Sequence, residues 1–335
     1  MKIRVIGHGG ESTFPFGTSG PWSEFRDEIV SKGHEICEST FGAEIDALIC
    51  HRHSIDAIHE AEKNGVQISR RALVVWEPEI VEKERYSKEV LKNYGIVYAP
   101  SLIWASKVSG KSFRWPQDEV LGILPEQNWI TRKNKIVIIQ GNKFSARKGE
   151  LYSLRRRVIQ ALREEIDLYG TNWNKGLAFD WWHWSRSALN SNFKEISIRS
   201  IFGIGRKYSN YFGQTALKRE TLADYRIAIV IENSADFVSE KLFDAISAGC
   251  LVVYVGPSLS RFGIENSNIV VCSESRSEIR KACLGLLELD VSDQYKVALA
   301  QNVSLRAISE IWENKNVLRL LAHDILEDMG LDAKN

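Results

Sequence analysis

Residues 225–256 read YRIAIVIENSADFVSEKLFDAISAGCLVVYVG. Tyr225 to Ile231 and Leu251 to Val255 are apolar, β-branched runs with the length of buried strands. Between them Leu242, Ala245, Ile246 and Gly249 recur at i, i+3, i+4 and i+7, the spacing of a helix with one face on a sheet. Strand, helix and strand in succession make a βαβ unit with parallel strands. Open parallel sheets bind ligands beyond the carboxyl ends of their strands. Glu232, Asn233 and Ser234 follow the first strand directly, and Glu240 and Lys241 open the helix behind the expected cap Ser239. The crowding of charge between two apolar strands therefore falls where such a fold places a site.

The same alternation runs outward in both directions. Upstream lie Ile3 to Ile6, a helix near Ser23 to Lys32, HEICES (34–39), DALIC (46–50), a helix near Ile55 to Lys63, ALVVW (72–76), a helix near Ser87 to Lys92 and GIVYAPS (95–101). This is one doubly wound domain. The segment GKSFRWPQDEVLGILPEQNWITRKNK (110–135) breaks the rhythm with two of the seven prolines and a basic cluster, and the division is expected at residues 130/131. A second alternation follows in KIVIIQG (135–141), a helix from about Gly149 to Glu164, EIDLYG (165–170), the quoted stretch, NIVVCS (268–273) and helices to the C-terminus. Residues 1–130 and 131–335 are thus read as two Rossmann-like domains, with 171–220 aromatic, basic and without clear periodicity.

Composition sets limits. The 335 residues are 44% hydrophobic and 26% charged, ordinary for a globular chain, and 44 basic against 43 acidic residues leave a formal charge of +1. No global field favours nucleic acid, so an anionic ligand must be held locally. Five scattered cysteines without a CxxC pair read as buried thiols in a reducing cytoplasm. No apolar run approaches the ~20 residues of a spanning helix, and a soluble, cytoplasmic protein without a transmembrane segment is expected.

At the central site, Glu240 and Lys241 lie in a first helical turn, beside free backbone N–H groups and the positive end of the helix dipole, where an anion is favoured. Lys241 is read either as a phosphate ligand or as a solvated side chain, and Glu240 either as a hydroxyl acceptor or as a first-turn carboxylate that stabilises the helix. Asn233 either bonds a ribose or sugar hydroxyl or caps its own loop. Elsewhere, CHRHS (50–54) lacks the ligand spacing of a zinc site, and no metal is expected. FDWWHW (179–184) reads as packing in an irregular insertion or as a stacking surface for sugars. VIGHGGES (5–12) partly matches a dinucleotide loop, with Ser12 where a third glycine belongs.

The quoted stretch resembles the signature of the α1,3-fucosyltransferases, glycosyltransferase family 10, in which a strand ends in Glu-Asn-Ser, then Tyr-x-Thr-Glu-Lys-Leu follows and a second strand ends in Gly. The likeness extends through LKRETLADYRI (217–227). LRRRVIQALREEIDLYG (154–170) is similar to the family's arginine-headed helix, and VVWEPEI (74–80) to its glutamate-containing acceptor segment. Phe237 and Ser239 stand where the family has Tyr and Thr, and the spacer before Phe237 is short.

The resemblance implies a GT-B fold of two facing Rossmann-like domains. It implies an inverting transferase that moves fucose from GDP-fucose to a saccharide hydroxyl, with no cofactor beyond the donor. It places Arg155 on the diphosphate and supports Asn233, Glu240 and Lys241 as donor ligands and Glu77 as the base. Read from the residues alone, Glu77 is either that base or a loop carboxylate solvated beside Pro78. Arg156 and at least one other of the three arginines read as a solvated basic face. Two other readings stand beside it: a sugar-nucleotide or saccharide-binding protein without turnover, and a nicotinamide dehydrogenase built on the first domain.

Overall fold

A computed structural model describes residues 1–7, 22–81, 86–265 and 268–332. The chain forms two compact units, Met1–Gln117 with Ile311–Asn335 and Asp118–Glu310.

The first unit is built on six parallel strands, β1 (Lys2–Ile6), β2 (Glu35–Ile36), β3 (Ala47–Cys50), β4 (Arg71–Val74), β5 (Ile96–Ala99) and β6 (Lys111–Ser112), in the order β2-β1-β3-β4-β5-β6. Their apolar residues point to both faces, as a sheet covered by helices on both sides requires. The helix Ser23–Ser31 contributes Phe25 and Ile29 to one face, and Ile55–Lys63 contributes Ala57, Ile58 and Ala61 to the other. Ser54 caps the latter by accepting the Ala57 N–H at 3.2 Å.

The second unit carries five parallel strands, β7 (Lys133–Ile139), β8 (Ile166–Tyr169), β9 (Tyr225–Ile231), β10 (Leu251–Val255) and β11 (Val270–Val271), in the order β11-β10-β9-β7-β8. The helix Glu240–Ser247 buries Leu242, Ala245 and Ile246, as its spacing requires. Gly249 closes it at φ +80°, a left-handed conformation glycine adopts without a Cβ penalty.

The division differs from the one expected at 130/131 in two places, each with a physical cause. Residues 118–132 pack into the second unit: the Trp129 indole is fully buried and donates to Gly249 O at 2.7 Å, and Arg132 Nη1 donates to Ala248 O at 2.8 Å. The end of the chain, expected in the second domain, returns to the first. The helix Asn314–Asp328 lays Leu318, Leu321, Ala322 and Ile325 against Phe25 and Ile29, and Asp328 accepts the Tyr98 hydroxyl at 2.6 Å. Within the unassigned stretch 171–220 lies a helix, Leu177–Leu189. All five cysteines are free and buried, and among the described residues no helix is long and apolar enough to cross a membrane.

Candidate functional site

In the second sheet β7 and β9 lie side by side while the strands next in sequence depart to opposite edges. This is the topological switch point of a doubly wound sheet, the place where such folds bind ligands. Two loops meet there. Gln140, just past β7, donates from Nε2 to Ile231 O at 2.9 Å, and Leu151 N–H donates to Asn233 O at 3.0 Å. Glu150, just before the helix Tyr152–Ala161, accepts the Ser153 N–H of its first turn at 2.8 Å.

Arg155, on that helix, ties the loops together. Its Nη1 donates to Gly141 O at 2.9 Å, and its Nη2 to Ile231 O at 2.9 Å and to Asn233 Oδ1 at 3.3 Å. The side chain is 2% exposed, and burial lowers the guanidinium pKa to about 10, still far above neutrality. Arg155 and Asn233 are thus brought together, with both terminal nitrogens of the arginine engaged on backbone carbonyls and on Asn233 itself. Arg156, expected on a solvated face, is also buried. It clamps Phe202 O, Lys143 O and Ser200 O at 2.7, 2.8 and 2.9 Å. A cation that deep requires several carbonyl acceptors, and these come from segments remote in sequence.

Beyond β9 the centre is Glu232, fully buried. Its Oε1 accepts the Ser239 N–H at 2.9 Å and its Oε2 the Ser239 hydroxyl at 2.6 Å. Lys241 Nζ lies 2.8 Å from Ser239 Oγ, 3.5 Å from Glu232 Oε2 and 3.8 Å from Glu240 Oε1. Lys241 therefore folds back over the carboxylate instead of extending into solvent. Ser239 Oγ also accepts the Lys241 N–H at 3.4 Å, the expected cap.

Burial pushes the Glu240 pKa up, but Lys241 and Lys218 beside it outweigh that and hold it below the usual carboxylate range. The Tyr254 hydroxyl is pushed far up, by burial first and then by the charge of Glu232. A Cβ on Gly256 would stand 2.4 Å from the Tyr254 hydroxyl oxygen and 2.8 Å from Glu232 Cγ, so only glycine lets the chain pass.

Among the described residues, the buried polar atoms at these strand ends without a hydrogen-bond partner include Gln140 Oε1, Asn142 Oδ1, Ser234 Oγ and Arg155 Nε. Orphaned groups are rare in folded proteins, and a cluster of them at a switch point is what a polar ligand satisfies. Sequence reasoning left Gln140 and Asn142 out of the site, and counted Glu232 in its charged crowd without giving it a role. The signal for Glu232 was present, a carboxylate at a strand end seven residues before a helix cap. Gln140 and Asn142 are marked only by their place after β7.

In the first unit Glu77 follows Trp76 past the carboxyl end of β4. It is half-buried, and its carbonyl accepts the Tyr86 hydroxyl at 2.7 Å. Glu79 pairs with Lys107 at 3.8 Å and Glu38 with Arg26 at 3.9 Å. His51 is buried among Trp22, Phe25 and Trp76 and accepts the Trp76 indole N–H at 3.0 Å, while His53 bonds the Tyr94 hydroxyl at 2.9 Å. The partial dinucleotide-loop match after β1 lies, from residue 8 onward, outside the described residues.

No family model and no curated protein matches the chain. Solved structures do. Anabaena Alr3699/HepE in complex with UDP-glucose has a TM-score of 0.54 at 13% identity, over 98% of this chain and 99% of that one. An α,α-trehalose 6-phosphate synthase from Burkholderia multivorans has a TM-score of 0.50 at 10% identity, over 85% of this chain and 71% of that one. A chain of the GtfA/B complex has a TM-score of 0.50 at 11% identity and is covered over 58% of its length by 85% of this one. At such identities the likeness is one of fold. The two parallel-sheet α/β units have the GT-B fold.

Proposed function

We propose that the protein is a glycosyltransferase that binds a nucleoside diphosphate sugar at the switch point of the second unit and transfers the sugar to a saccharide hydroxyl. The observation that carries this reading is Lys241, whose ammonium stands at the first turn of the helix Glu240–Ser247 past the carboxyl end of β9, with Gln140 Oε1, Asn142 Oδ1 and Ser234 Oγ left unpartnered after β7 and β9. A departing diphosphate develops negative charge, and fixed cations with helix N-terminal amides stabilise that charge. The donor is GDP-fucose and the reaction inverting, on the strength of the likeness of residues 225–256 to glycosyltransferase family 10.

In an inverting displacement the acceptor oxygen forms its bond to the anomeric carbon as the bond from that carbon to the phosphate oxygen breaks. The hydroxyl proton passes to a carboxylate, for which Glu77 is the proposed base. The leaving diphosphate is met by Lys241. Asn233 and Glu240 supply polar groups for ribose and sugar hydroxyls. Arg155 takes a different part from the one expected of it. Through Gly141, Ile231 and Asn233 it positions the two loops of the proposed donor site.

A second reading of the donor has one observation in its favour, the UDP-glucose bound in the HepE structure of like fold. Calorimetric titration with GDP and UDP in the presence of a chelator separates the two. Binding of GDP, followed by release of GDP from GDP-fucose that depends on added saccharide acceptor, is the expected result. UDP binding alone replaces the donor, and binding without acceptor-dependent release makes the protein a sugar-nucleotide sensor. NADH binding with no nucleoside diphosphate binding would replace the reading with a dehydrogenase.

A further inference from the structure

Residues 171–217 expose an apolar surface that the donor site does not use. On the helix Leu177–Leu189 the exposed residues include Leu177, Trp181, Trp182 and Leu189, and the turns that follow expose Phe193, Ile198, Ile201 and Phe202. Trp181 and Trp182 are each about half accessible, and Leu189, Phe193 and Ile198 are more than four-fifths so.

These elements adjoin one another. Trp184 donates to Ser200 Oγ at 2.7 Å and stacks on Trp181 at 5.2 Å, and Leu177 packs so closely on Gly205 that a Cβ there would stand 2.7 Å from Leu177 Cδ1. A monomeric surface rarely leaves so many large apolar side chains together unless something covers them.

The exposed charges of the segment itself are nearly all basic. Lys175, Arg186, Lys194, Arg199, Arg206 and Lys207 are exposed, whereas the only carboxylates of the segment are Asp180, which is buried and accepts the Gly205 N–H, and Glu195, which is half-buried. The chain as a whole has a formal charge of only +1. Arg206 and Lys207, with Arg163, also line an open pocket of about 290 Å³. Exposed tryptophans with aliphatic neighbours, carried on a segment of six exposed cations with Glu195 as its one partly exposed acid, match the layering of an anionic bilayer surface, where indoles settle at the headgroup level and Lys and Arg meet the phosphates. A neutral saccharide asks for rings to stack on but not for six cations.

We propose that residues 175–207 form a docking surface for an anionic phospholipid bilayer, which the helix Leu177–Leu189 meets with Trp181 and Trp182 at the interface. The test is flotation of the full chain with vesicles of equal parts phosphatidylcholine and phosphatidylglycerol, compared with phosphatidylcholine alone. The protein is expected to float with the mixed vesicles only, and to be released as salt shortens the reach of the charges. Trp181→Ser with Trp182→Ser lowers the partition constant about tenfold or more. Lys194→Glu and Arg199→Glu lower it about fivefold each while leaving the aromatic residues in place.

The charge variants also decide the matter if the tryptophan pair loses its fold, as judged by circular dichroism. Failure of the wild type to float, or flotation of both variant sets like the wild type, overturns the proposal. So does a dimer in light scattering that the tryptophan variants break without any vesicle binding. So, too, does a loss confined to saccharide affinity with vesicle binding unchanged.

Discussion

Replacing Lys241 by Met separates what its ammonium does for the fold from what it does for a ligand. Nζ stands 2.8 Å from Ser239 Oγ and 3.5 Å from an oxygen of Glu232, whose side chain is fully buried while that of Lys241 is 15% exposed. Methionine keeps the apolar stem but strands the Glu232 carboxylate with Ser239 as its donor. Removing one partner of a buried pair costs about 3–5 kcal/mol. Two hydrogen bonds survive and the lysine is not wholly buried, so a loss of about 2–3 kcal/mol is expected here. Glu232→Gln in the same chain removes the stranded charge and keeps an oxygen facing Ser239, so the double variant should regain about 1–2 kcal/mol over Lys241→Met. Affinity for GDP should behave differently. It falls about ten- to a hundredfold in Lys241→Met and does not return in the double variant, because the lost cation is the phosphate ligand. Urea unfolding and calorimetry on wild type, both single variants and the double variant complete the cycle. A double variant no more stable than Lys241→Met would refute the pairing with Glu232. Affinity that recovers along with stability would show that Lys241 acts through the fold alone.

Arg155→Met should destabilise the protein by about 2–4 kcal/mol in urea, since Gly141 O and Asn233 Oδ1 lose their donor while Ile231 O keeps Gln140. Gly170→Ala places a Cβ 2.2 Å from Gln140 O at a φ of +130°, and a loss of more than about 2 kcal/mol by the same measurement is expected. Glu240 has its pKa depressed in the fold, so its contribution is present above the unfolded value and disappears as pH falls through the folded one. The stability gap between wild type and Glu240→Gln should therefore shrink from the ordinary carboxylate value of 4.5 downward, and a gap that widens in acid contradicts the sign. Under the proposed mechanism Glu77→Gln lowers kcat about 10²- to 10⁴-fold with GDP affinity unchanged, and retention of more than about a tenth of wild-type turnover removes Glu77 as the base.

The parallel strands were legible because each is a short apolar run bounded by turn residues, and β1, β3, β4, β5 and β7 to β10 lie within a residue or two of where those runs put them. The helix cap at Ser239 was legible for the same local reason. What was not legible depends on contacts between residues far apart in the chain. The division between units follows the Trp129 indole seeking Gly249 O, some 120 positions away, and the return of the last helix to Phe25. The arginine triplet shows the limit most clearly. Three consecutive basic residues read as a solvated face or a phosphate grip, but whether a guanidinium can be buried depends on carbonyls supplied by other segments. Gly141, Ile231 and Phe202 supply them.

The return of the helix Asn314–Asp328 to the first unit makes the second unit an insertion within the first. Synthesis from the N-terminus therefore makes the first sheet early and completes its cover late. Phe25, Ile29 and the strand faces behind them emerge long before Leu318, Leu321 and Ile325 exist to close over them. At ribosomal rates of about 5–20 residues per second the intervening chain takes on the order of ten seconds or more to arrive. During that interval the inserted unit, continuous in sequence, can reach its native state by itself, while the unit begun first carries an open apolar face. Such a face is where chaperones bind and where aggregation begins. Of the two units, the one begun earlier is thus the later to become safe from its own hydrophobicity.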